Sequence, residues 1–207
     1  RFRACSKLHK IQVPLTMHIG LFFGSFNPVH VGHLIIAQYM QQFQSLDEVW
    51  MVISPQSPFK THQRMLSHYE RLHLIQLALL DFPNIKPCTI EFDLPEPHYT
   101  IHTLTHLFER YPQHRFSILM GHDNLSHFHK WKNYEQILKS VRLLVYPRLH
   151  SAASHLEQHP NIIITQAPLM EISSQYIRQQ IAAGKEVGAM LHPGVWDEIQ
   201  KSGHYKS

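Results

Sequence analysis

With 207 residues, 43% of them hydrophobic, the chain has the length of one ordinary domain, or one domain with a small appendage, and can bury a sizeable core. Its 19 Lys and Arg against 15 Asp and Glu give a formal net charge of +4, which suits an anionic small molecule and falls short of a dedicated nucleic-acid binder. Two cysteines, Cys5 and Cys88, are too few for a disulfide framework and point to a reducing cytoplasm, and no apolar run is long enough to span a bilayer.

Residues Arg1 to Thr16 are basic and aperiodic, and they read as an N-terminal tail, disordered or non-native, with residues 17–207 as a single domain that ends in a small helical part. Ile19 to Phe23 is a short apolar strand, ended by the turn chemistry of Gly24, Ser25, Asn27 and Pro28. The pattern then becomes helical, which places His30 and His33 on the first turn of a helix, facing the same way. There, unpaired N–H groups and the helix dipole favour an anion. Gly32 between them leaves room for a ligand close to the backbone.

Glu48 to Ser54 reads as a second strand, followed by a polar loop, Pro55 to Arg64. Ser67 to Leu80 is a helix with Ser67 and Glu70 as a capping box. Ile85 to Phe92 is a third strand with an irregular start at Pro87, and Thr100 to Phe108 is a helix. Arg115 to Met120 is a fourth strand that runs into Gly121-His122-Asp123-Asn124. Tyr134 to Lys139 and Ala152 to Gln158 read as helices, Val141 to Tyr146 and Ile162 to Thr165 as strands. Ser173 and Ser174 cap a helix carrying Arg178, and a last helix lies near Trp196 to Gln200.

This alternation predicts an α/β fold: a Rossmann-like, doubly wound, mostly parallel sheet of five to six strands with helices on both faces. In such sheets ligands sit outside the carboxyl ends of the strands, and every polar turn named above lies at such an end. The sequence has neither GxxxxGK[ST] nor GxGxxG, so kinase and dehydrogenase readings have no anchor. The 19 histidines are spread along the chain without zinc-site spacing, so no metal site is expected and most of them read as surface residues. Arg71, Lys130 and Arg148 read as ordinary surface charges.

Gly24-Ser25-Phe26-Asn27-Pro28-Val29-His30-Val31-Gly32-His33 resembles the G-x-F-(D/N)-P-x-H-x-G-H signature of the HxGH nucleotidyltransferase superfamily. Ile172 to Arg178 is similar to its I-S-S-T-x-I-R. Tyr99 to Leu104, Gly121 to Leu125 and Phe128 to Trp131 resemble Y-T-x-x-T-L, G-A-D-N-L and F-x-x-W of the bacterial nicotinate mononucleotide adenylyltransferases. The likeness runs from Met17 to about Ile199.

The resemblance implies an enzyme of NAD biosynthesis that moves the adenylyl group of ATP to nicotinate mononucleotide, giving the dinucleotide and pyrophosphate. It implies His30, His33 and Arg178 as catalytic residues. Gly24, Ser25, Phe26, Gly32, Gly121, Asp123, Ile172, Ser173 and Ser174 would join them around ATP. Ser25, Lys60, Thr100 and Trp131 would meet the mononucleotide, and Mg²⁺ would travel with ATP, held by phosphates and water. Nucleic acid and membrane partners are not expected, and a homo-oligomer is left open. Phe59 and Tyr134 depart from the family pattern, which weakens the match of the loop after the second strand. Two rivals stand beside this reading: pantetheine-phosphate adenylyltransferase or another HxGH enzyme, and a non-catalytic nucleotide-binding regulatory module.

Overall fold

The computed structural model describes residues 15–55, 65–149 and 151–206. Runs rich in β-branched and aromatic residues form six strands: β1 (His18–Gly24), β2 (Glu48–Ile53), β3 (Ile85–Cys88), β4 (Arg115–Gly121), β5 (Arg142–Tyr146) and β6 (Ile162–Ile164). They pair in the order β3-β2-β1-β4-β5-β6, and every pair is parallel. The chain winds outward from β1 to β3, returns to the other side of β1 as β4, and winds outward again. Strand order therefore reverses between β1 and β4, and the carboxyl ends of these two strands border a crevice. The expected doubly wound sheet is present, with six strands.

The helices are α1 (Val31–Phe43), α2 (His68–Ala78), α3 (Thr100–Arg110), α4 (His122–Leu125), α5 (Tyr134–Ser140), α6 (Ser174–Ala182) and α7 (Pro193–Ser202). Successive strand side chains point to opposite faces. Phe22, Met51 and Leu119 pack with α1, α2, α6 and α7 on one face. Leu21, Val52 and Ile118 pack with α3, α4 and α5 on the other. Burial on both faces explains why the strands read as continuous apolar runs.

Helix ends follow the local chemistry. Ser67 Oγ accepts the Glu70 N–H at 3.2 Å and Glu70 Oε2 accepts the Ser67 N–H at 2.8 Å, which is the expected capping box. Gly203, at φ 71°, ends α7 in the left-handed conformation and turns the chain back.

Two expectations are corrected. The third strand stops at Cys88, and residues Ile90–Asp93 form a 3₁₀ turn; Pro87 is tolerated because β3 is an edge strand. Residues 152–158 are not a helix. Glu157 Oε1 accepts the Ser154 N–H at 2.7 Å and Ser154 Oγ accepts the Leu156 N–H at 3.3 Å, so side chains take the backbone donors that a helix would use. The chain crosses from β5 to β6 through turns. No helix among the described residues is long and apolar enough to cross a membrane.

Candidate functional site

β1 delivers the chain to the crevice at Gly24, and the turn that follows is pinned from below. Phe26 folds back at φ 45° and buries its ring to 1% exposure. That ring lies where a side chain on Gly24 would be, 2.8 Å from an ideal Cβ, so only glycine fits there. A non-glycine residue at positive φ costs on the order of 1–3 kcal/mol. Apolar packing of Phe26 against Phe22 and the edge of His33 offsets that cost.

The turn's carbonyls are taken by side chains from elsewhere. Arg71 Nη1 donates to Ser25 O at 2.6 Å, Arg178 Nη1 to Asn27 O at 2.6 Å, and Ser174 Oγ to Pro28 O at 2.8 Å. The motifs at Gly24 and Ile172, some 150 residues apart, thus form one structure. Arg71 is the largest surprise. The sequence marked it as a surface charge, yet it is fully buried and also donates to Ser54 O, Pro55 O and Leu66 O. Burial lowers its pKa to about 10, which leaves it charged at neutral pH.

His30 is the N-cap of α1, 4% exposed, and His33 is the third helical residue. Their rings stack with centroids 3.7 Å apart. His33 Nδ1 accepts the His30 backbone N–H at 3.3 Å, which assigns the ring proton to Nε2 and leaves that nitrogen as a donor. Burial first, then the charge of Arg148, lowers the His30 pKa to about 3. Burial, His30 and Arg148 in turn hold His33 well below its usual range. Both imidazoles are therefore neutral at pH 7. Gly32 does not leave ligand space as expected, because the His30 ring takes it: an ideal Cβ there would meet His30 Cε1 and Nδ1 at 3.1 Å.

His30 and His33 line a cleft of about 280 Å³ together with Ser25, Ser173, Arg148 and Arg178, and among the described residues no carboxylate lines it. Arg148, expected to be a surface charge, leaves the end of β5 and turns into the cleft. Its Nη1 donates to Met170 O at 2.7 Å, while its buried Nε has no hydrogen-bond partner among the described residues and stands 3.9 Å from Asp123 Oδ1. Two guanidinium groups, neutral imidazole donors, hydroxyls and the N-terminus of α1 converge on one space. Such a set binds an anion bearing several oxygens and stabilises charge developing on it.

The other sequence-predicted residues divide between the cleft and its surroundings. Gly24, Phe26 and Ile172 line the cleft; Gly121 and Asp123 do not, although Asp123 approaches it through Arg148. Thr100 opens α3, and Trp131 follows a 3₁₀ turn and packs on Phe128 with centroids 5.0 Å apart; both lie outside the cleft lining. Lys60, residues 1–14 of the tail, and Cys5 within it lie outside the described residues. Among those described, no three His, Cys, Asp or Glu side chains are grouped to hold a metal ion.

Over residues 21–180 the chain matches the family described as cytidylyltransferase-like. A protein of Flavobacterium psychrophilum named as a nicotinate-nucleotide adenylyltransferase is 48% identical over 192 residues, covering 92% of this chain and all of the relative. One of Cytophaga hutchinsonii with the same name is 46% identical over 191 residues, with coverage of 92% and 100%. The solved structure of Plasmodium falciparum nicotinic acid mononucleotide adenylyltransferase complexed with NaAD has the same fold. It gives a TM-score of 0.76 at 17% identity, covering 91% of this chain and 97% of that one.

Proposed function

The chain belongs to the cytidylyltransferase-like family and, within it, to the nicotinate-nucleotide adenylyltransferases, and from that premise we propose how its cleft performs adenylyl transfer. The 5′-phosphate oxygen of nicotinate mononucleotide attacks the α-phosphorus of ATP. The new P–O bond forms as the α–β bridge breaks, and pyrophosphate leaves. Such a transfer needs positioning and charge stabilisation more than it needs a protein nucleophile. The observation that carries the reading is the stacked, neutral His30–His33 pair at the start of α1, which lines one cleft with Arg148 and Arg178 and, among the described residues, with no carboxylate.

His33, with its proton on Nε2, donates to the α-phosphate oxygen as charge builds there, and His30 supports it. Arg178, Ser173 and Ser174 take the β- and γ-phosphates and so the leaving pyrophosphate, and Ser25 adds a hydroxyl beside the reacting phosphorus. Arg148 joins this set. Gly121 and Asp123 border the ribose, Thr100 and Trp131 serve the pyridine end of the mononucleotide, and Lys60 meets the same substrate. Among the described residues no carboxylate lines the cleft, so the residues there do not fit a resident divalent cation. Mg²⁺ would accompany ATP as its counter-ion, held by phosphates and water rather than by this chain.

Pyrophosphate release with ATP and each of two acceptors, nicotinate mononucleotide and phosphopantetheine, tests the reading. Release with nicotinate mononucleotide is expected. Release with phosphopantetheine alone would reassign the enzyme, and no release with any acceptor would leave a nucleotide-binding module.

A further inference from the structure

The cleft turn is held not only by the residues that line it but also by the far end of the chain. After Gly203 turns the backbone, Tyr205, at φ 65°, swings its ring beneath the turn, and its hydroxyl donates to Asn27 Oδ1 at 2.8 Å. Asn27 is 3% exposed, and its Oδ1 also accepts the Leu66 N–H at 3.3 Å, the longer of the two bonds. Its backbone oxygen goes to Arg178. One buried asparagine thus ties together the cleft turn, the approach to α2, α6 and the C-terminal segment. The phenol stands near Arg71 and Arg178, whose charges partly offset the burial that pushes its pKa up. A tyrosine hydroxyl is a weak anchor on the surface. In a buried network it is worth more, because its loss strands an acceptor.

We propose that Tyr205 is a positioning residue for adenylyl transfer: through Asn27 it latches the Ser25 to Pro28 turn, and with it the His30–His33 pair that follows directly, to the C-terminal segment. The proposal rests on the reading that this turn and this pair handle the nucleotide phosphates. Tyr205 lies outside the cleft lining, and its effect reaches the reacting atoms only through the turn. A displacement of about 1 Å in a positioned group can cost on the order of 100-fold in rate. A loosened but still packed turn should cost less.

The test compares the wild-type chain with Tyr205→Phe, which keeps the ring and removes only the hydroxyl. We expect kcat per folded molecule to fall about five- to tenfold with KM within about twofold, a fraction of that full misplacement cost. The amides of Ser25, Phe26 and Asn27 should exchange with deuterium about tenfold faster, as expected when a local opening becomes easier. In a double-mutant cycle with Asn27→Ala the kcat effects should be non-additive. A lower melting temperature with unchanged kcat and unchanged exchange, or additive effects in the cycle, would reduce Tyr205 to a packing residue.

If Tyr205→Phe does not fold, native-state exchange on the wild type decides. The amides of residues 25–27 and 204–206 should open together, and separate opening overturns the latch. A wild-type chain without turnover on any acceptor would sink the functional reading and leave the exchange data to judge the latch.

Discussion

The turn Ser25 to Pro28 and the segment Gly121 to Trp131 leave neighbouring parallel strands at the same end of the sheet, yet they are held in opposite ways. Three carbonyls of the first are bonded by side chains from α2 and α6, and its asparagine by the chain terminus. The hydrogen bonds of the second are largely local: Ser126 Oγ to Asp123 O, and backbone bonds three to four residues apart. The side chains of Thr100 and Trp131 make no hydrogen bond among the described residues, and the Asp123 side chain is 59% exposed. The turn to which the proposed function gives the phosphates is thus built before a ligand arrives, whereas the segment with the proposed ribose and acceptor contacts has donors and ring faces still to be satisfied. Preorganisation of the first kind lowers the barrier, and the second kind selects the substrate.

Substitutions in the two halves should therefore split differently between kcat and KM. His33→Ala removes a donor from the preorganised half, and kcat should fall by at least ~100-fold, the usual cost of one transition-state donor. A steady-state assay at saturating ATP checks it, and an unchanged kcat would take His33 out of the chemistry. Trp131→Ala removes an aromatic face from the other half. Loss of stacking worth about 0.5–1.5 kcal/mol should raise KM for the mononucleotide by about two- to thirteenfold and leave kcat nearly constant. If Trp131→Ala lowered kcat instead, the two halves would not be separable.

The doubly wound sheet and the two motifs that meet at the cleft were legible in the chain because continuous apolar runs, glycine turns and capping serines act locally. What was missed was buried charge. Arg71 lies three, four and seven residues before Leu74, Ile75 and Ala78, the buried face of α2, so its position was written in the helical period and was overlooked because charge implied surface. Arg148 carried a weaker signal, its place just beyond a strand end beside the switch point. Tyr205 carried none, since nothing local indicates that a residue after the last helix bonds to Asn27, 178 positions away. The empty helix at 152–158 failed for the converse reason, because short-range bonds from Ser154 and Glu157 outweighed a pattern with one half-buried leucine.

The smallest expected effect sharpens the comparison from the electrostatic side. His30 is held to about 3 in the folded cleft, against about 6.5 in an unfolded chain. Between these values the unfolded state binds a proton that the folded state refuses, so stability rises with pH across that window and is lost as pH falls from 6.5 towards 3. From pH 7 to pH 6 the loss through His30 should be under ~1 kcal/mol, read as a shift of the urea midpoint. His30→Gln, which keeps a polar group without a titration, should flatten that slope. ATP should act in the opposite direction to burial: its phosphates favour the charged imidazole, so binding near neutral pH should take up protons, seen as a binding enthalpy that varies with the ionisation enthalpy of the buffer. A heat independent of buffer would mean that the pair stays neutral under the polyphosphate. The preorganised half would then act through donors alone, with the guanidinium groups supplying all of the charge.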